Sequence, residues 1–152
     1  MDEGAQNQRI REHLWHDLQS EHRQLDKVLN DVRSLAEHGS FETARKRFGE
    51  YRMAHERHLS AERQLEALCR DETASFVTRL RRERTRVLDQ SERVWRRLCQ
   101  EKSAGVPRML ERLAALVAKH EDAQRRLILA DLPLSPESRR QQGALLQHLG
   151  RL

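Results

Sequence analysis

HERHLSAERQ, residues 55–64, decides how this chain is read. His55, His58 and Glu62 follow at spacings of three and four, so in a helix all three project from one side. Phe48, Tyr51, Leu65 and Cys69 fall on that same side, which marks it as the side meant for a core. A buried imidazole or carboxylate is costly unless something satisfies it. The stretch therefore implies a helix whose core face meets polar groups supplied from elsewhere in the fold.

Outward from that stretch, glycine and proline are sparse and set the architecture. A first helix is expected from about residue 6 to His38, carrying the stripe Leu14, Leu18, His22, Leu25, Leu29, Val32 and Leu35 or Ala36. Gly39–Ser40 ends it, since glycine is favoured just past a helix C-terminus. The second helix spans Phe41 to Cys69, with Gly49 a mildly unfavourable interior residue. Asp71 is a plausible N-cap for a third helix reaching about Lys102, with the stripe Phe76, Leu80, Arg84, Val87, Ser91, Val94 and Leu98. Pro107 suits the first turn of a fourth helix, with the stripe Leu110, Leu113, Val117, His120, Gln124 and Leu127. DLPLSPE breaks that helix near residue 131, and Ser135–Pro136 opens a short terminal helix over about 136–149. Long helices joined by short turns predict an all-α, up-down-up-down four-helix bundle with a short C-terminal fifth helix, as one domain over residues 1–152.

Composition agrees. The chain has 152 residues, is 35% charged and 37% hydrophobic, and contains only 4% aromatic residues. No stretch approaches the roughly 20 apolar residues that span a bilayer. The polar N-terminus MDEGAQNQRI is unlike a secretory signal, so a cytoplasmic location and no membrane partner are expected. Cys69 and Cys99 read as small core residues rather than as a disulfide, because the helical path places them far apart. The net charge of +5 raises nucleic acid as a remote alternative. Against it, RRERTRVLDQSERVWRR alternates arginine and glutamate at helical spacing, the pattern of a solvated, ion-paired face.

Each helix stripe carries polar residues where leucine is expected: His22; His55, His58 and Glu62; Arg84; and His120 with Gln124. In an up-down bundle, residues equidistant from a turn share a height. His22 lies 17 residues before Gly39 and His58 lies 19 after it; around Ala104, Arg84 lies 20 before and Gln124 lies 20 after. All four helices thus place polar residues in one slice, which is how helix bundles build metal sites. Histidine with carboxylate suits iron, manganese or zinc rather than calcium. The chain also repeats itself. HLSAERQL (58–65) matches HEDAQRRL (120–127), and LQSEHRQLDKVL (18–29) echoes LRRERTRVLDQS (80–91), with His22 opposite Arg84.

Duplicated helical hairpins, EHR on the first helix and H-x-x-x-E on the second resemble the hemerythrin-like, or HHE cation-binding, domain over about residues 10–135. That resemblance implies a di-iron centre held by histidines from all four helices and bridged by two carboxylates, in proteins that carry or sense oxygen, respond to iron or nitric oxide, or decompose peroxide. His22, His58, Glu62 and His120 match its ligands. Arg84 stands where a histidine is expected and Gln124 where a bridging carboxylate is expected, and a permanently charged guanidinium does not ligate a metal. One ion, iron or zinc, is therefore expected rather than two, unless Glu121 or Asp122 bends inward. The competing reading is a metal-free interaction module in which Arg84 pairs with Glu62 and takes Gln124 as a hydrogen-bond partner. A small diatomic ligand, a protein partner and a homo-oligomer are open as partners. His55 is expected in the core or just outside the ligands, and His13, His16, His38 and His148 at the surface. Trp15 and Trp95 read as packing residues at helix edges. No nucleophile–histidine constellation is visible, so no enzymatic activity is expected beyond what a metal would supply.

Overall fold

The computed structural model describes residues 3–67, 74–100 and 104–129, which form four helices. These are α1 (Glu3–Glu37), α2 (Phe41–Ala67), α3 (Ala74–Cys99) and α4 (Val106–Leu129). α1 packs on α2 and α4, and α3 packs on α4 and α2, giving the expected four-helix bundle. The expected fifth helix, the Asp71 cap, Cys69 and His148 lie outside the described residues. None of the described helices is long and apolar enough to cross a membrane.

The local signals act as the sequence implies. Gly39 has φ +77°. Its N–H bonds the Ala36 carbonyl at 3.1 Å and Ser40 N–H bonds the Leu35 carbonyl at 2.9 Å, so a Schellman cap closes α1. The Ser40 carbonyl then accepts the first bond of α2, from Ala44 at 2.9 Å. Gly105, at φ +83°, precedes α4 and accepts from Met109 N–H at 3.0 Å, which leaves Pro107 in the first turn, where no donor is missed.

The two hairpins are related by a constant shift of 62 positions. Leu18, Leu25, Val32, Ala36, Ala44, Phe48 and Tyr51 are buried, and so are Leu80, Val87, Val94, Leu98, Val106, Leu110 and Leu113, each 62 residues later. Such a repeat gives the bundle near-twofold internal symmetry. Most of the apolar core fills the half of the bundle near the Gly39 and Gly105 turns. Towards the other end the same shift runs through a buried polar layer: Glu21 and Glu83, His22 and Arg84, His58 and His120, Glu62 and Gln124.

Cys99 is exposed rather than a core residue. Leu98 takes the inward position, and one residue further turns the side chain by about 100° to the outer face. Trp95 sits at the helix edge as expected, half-buried, with its ring 3.7 Å from where a Cβ on Gly49 would lie and Arg52 stacked 5.0 Å from its centroid. The outer faces are ion-paired, with Arg33 on Glu111 at 2.5 Å, Arg52 on Glu92 at 2.6 Å and Arg47 on Glu50 at 2.6 Å.

Candidate metal centre

The polar layer is assembled from all four helices and is almost wholly buried. Glu62 and Gln124 are each 1% exposed and His58 is 2%. Each comes from a stripe position that in the apolar half carries a leucine, phenylalanine or tyrosine. The helical spacing that buries those residues therefore also buries the polar ones.

His22, His58 and Glu62 converge. His22 and His58 face each other Nε2 to Nε2 at 2.9 Å, with rings edge-on at 70°. Glu62 Oε1 lies 2.8 Å from His58 Nε2 and 3.9 Å from His22 Nε2. All three donor atoms lie within 4.8 Å of one another, the one such group among the described residues. Donors about 2.1 Å from a tetrahedral ion sit roughly 3.4 Å apart, so these separations suit a shared cation. Glu62 Oε1 has no hydrogen-bond partner although His58 Nε2 is so close.

Glu62 divides the layer. Its other oxygen, Oε2, accepts from His120 Nε2 at 2.8 Å and lies 3.5 Å from Arg84 Nη2. The structure thus brings His22, His58 and Glu62 into one group and sets His120 on the far side of the carboxylate, beside Arg84. The Arg84–Glu62 pairing expected from the sequence is present. The expected Arg84–Gln124 hydrogen bond is not: Gln124 Oε1 is buried with no partner. Helix spacing brings the two side chains to the same height but does not fix which way the amide turns.

Two buried glutamates escaped the sequence reading. Glu21 Oε2 accepts from His58 Nδ1 at 2.5 Å, which fixes that ring's orientation and directs its Nε2 inward. Glu83, 62 positions later, lies 4.0 Å from His120 Nδ1. Both immediately precede a stripe residue, so periodicity alone assigns them to the flank. The signal that finds them is the repeat itself, which carries glutamate before the polar intruder in both hairpins. Glu121, on the inward turn of α4, lies 4.0 Å from His22 Nδ1 and has a buried oxygen with no hydrogen-bond partner. Asp122 points outward and pairs with Arg126 at 3.1 Å.

The layer holds an excess of acid. Glu21, Glu62 and Glu83 are buried and Glu121 nearly so, against Arg84 as the one buried guanidinium among the described residues. The titration shifts follow from that excess and from burial. Burial works to raise Glu62, but the close approach of His120, His22 and His58 holds it well below the usual carboxylate range. Burial works to lower His58, yet its contacts with Glu21 and Glu62 push it up to about 9. His22 is pushed down, chiefly by burial. Glu121 is raised to about 8 by burial and then by Asp26, and burial also raises Asp26.

His55 lies outside the converging group. It stacks on Tyr51, with centroids 5.2 Å apart, and burial pushes it down to about 4. Its counterpart 62 positions on is Val117, also buried, so this position belongs to the core. His13, His16 and His38 are exposed. No protein family, curated protein or solved structure matches the chain.

Proposed function

We propose that the chain is a metal-binding protein of hemerythrin-like design that holds one transition-metal ion through His22 Nε2, His58 Nε2 and Glu62 Oε1. The observation that carries this is the convergence of those three buried donor atoms within 4.8 Å of one another, with Glu62 Oε1 lacking a hydrogen-bond partner. Two imidazoles and one carboxylate suit iron(II), and zinc also fits. A bound iron would supply redox chemistry and a coordination position for a small diatomic ligand, which suits a protein that stores iron or responds to iron, oxygen or nitric oxide. Glu21 orients His58, and Glu62 joins the two halves of the layer. Arg84, at 3.5 Å from Glu62 Oε2, supplies the positive charge that a second cation would bring to the other half.

A second reading rests on the same Arg84–Glu62 contact. Arg84 and protonated histidines neutralise the buried carboxylates, and the bundle acts through a protein partner with no metal. Metal analysis of protein purified without chelator separates the two. The first reading expects bound iron or zinc that is lost in Glu62→Gln. A content below about a tenth of an equivalent of any transition metal leaves only the second.

A further inference from the structure

A cleft of about 490 Å³ opens between α1 and α4, and His22 forms part of its wall. Asp26, one turn along α1 from His22, and Glu121 on α4 face the same cleft. Asp26 is half-buried, and Glu121 turns an oxygen with no hydrogen-bond partner towards His22 Nδ1 at 4.0 Å. Behind His22 stands Glu62, 1% exposed, whose partnerless Oε1 is 3.9 Å from His22 Nε2. Carboxyl oxygens therefore stand on both sides of His22, one set in the cleft and one among the converging donors.

The internal repeat shows that these acids are not required by the fold. The shift of 62 positions carries Asp26 onto Leu88 and Glu121 onto Leu59, both of which line the equivalent cleft between α2 and α3. The two faces share one architecture, and only the one beside His22 has acids in place of leucines. Arg23 and Arg125 also line the α1–α4 cleft, but both are exposed, where water and salt screen them. The carboxyl oxygens of Asp26 and Glu121 lie beneath them, half-buried on facing helices, where an entering cation meets them directly.

We infer that the α1–α4 cleft is the uptake route for the cation, with Asp26 and Glu121 forming an outer station for a hydrated divalent transition-metal ion on its way to His22, His58 and Glu62. This rests on the metal-binding reading above. Oxygen ligands placed on the way in hold a divalent cation briefly beside the inner donors, which speeds its arrival there. Leucine at both positions, as in the other cleft, removes those oxygen ligands and introduces residues the fold already accommodates there.

The test uses the full chain stripped of metal, mixed rapidly with Zn²⁺ while a colorimetric indicator follows the free ion. Asp26→Leu/Glu121→Leu is compared with wild type and with Glu111→Leu, which removes an exposed carboxylate elsewhere on α4. The expected result is an association rate at least about fivefold slower in the double variant and a wild-type rate in Glu111→Leu. Asp26→Asn/Glu121→Gln, which keeps the side-chain shapes, is expected to slow uptake likewise and covers any failure of the leucine variant to fold. An association rate within fivefold of wild type in the folded variants overturns the inference, whatever happens to dissociation. Failure of the wild-type chain to take up Zn²⁺ at all overturns the metal-binding reading instead.

Discussion

The two hairpins share a backbone plan and differ in what they bring to its centre. The first supplies His22, His58 and Glu62, with Glu21 bonded to the outer nitrogen of His58. At the same four positions the second supplies Arg84, His120, Gln124 and Glu83. Both sets are buried, so the bundle accommodates either. What differs is charge type: the first set is two imidazoles and two carboxylates, whereas the second carries its own fixed cation. A near-symmetric scaffold thus holds one half with a donor group that could hold a metal ion and one half that already contains a cation.

The largest expected effect breaks the comparison at its strong side. Glu62→Gln or His58→Ala should weaken Zn²⁺ binding, measured by chelator competition, by more than the 10- to 100-fold typical of an outer partner. His120→Ala, which faces Glu62 from the Arg84 side, should cost less than about 10-fold. Equal losses in the two hairpins would erase the distinction between them. Glu21→Gln comes next, with a 10- to 100-fold loss expected because the His58 ring is then no longer held by a carboxylate. Glu83→Gln should change affinity only slightly, since its histidine lies in the half held by Arg84.

His55 sharpens the comparison through pH. Its position is Val117 in the second hairpin, and burial lowers its folded-state value to about 4 from an ordinary 6.5. Between those values the unfolded chain binds the proton that the folded chain refuses, so stability rises with pH across that window and is lost as pH falls towards 4. The full contribution is on the order of 3 kcal/mol above pH 6.5. Urea unfolding from pH 4 to 7 should show that this pH dependence is reduced in His55→Val, whatever the cost of the volume change at neutral pH. An unchanged dependence would mean that His55 stays charged. The smallest effect is at Gly49, where an added Cβ meets the Trp95 ring at an ordinary 3.7 Å. Gly49→Ala should raise stability by about 0.5–1 kcal/mol in thermal unfolding.

Much of this is legible in the sequence alone. Helix-period stripes and two glycine-bearing turns were enough to define the bundle, because each signal depends on local geometry alone. Counting residues from the turns placed His22, His58, Glu62, Arg84 and His120 at one height, because the rise per residue of a helix is fixed. Glu21 and Glu83 were missed because a position beside the stripe is buried or exposed according to how neighbouring helices pack, which periodicity does not encode. Cys99 was misplaced by residue type, since cysteine's preference for the core gave way to the phase of α3, where Leu98 faces inward. The direction of the Gln124 amide was equally invisible, since it depends on a terminal torsion and not on position along the helix.

The most direct test of the account is a Zn²⁺ titration of the metal-free chain beside Arg84→His/Gln124→Glu, which gives the second hairpin the donor types of the first. The account predicts that wild type saturates at one ion per chain and the double variant at two. Saturation of wild type at two ions, no binding by wild type, or one ion in both proteins would contradict it.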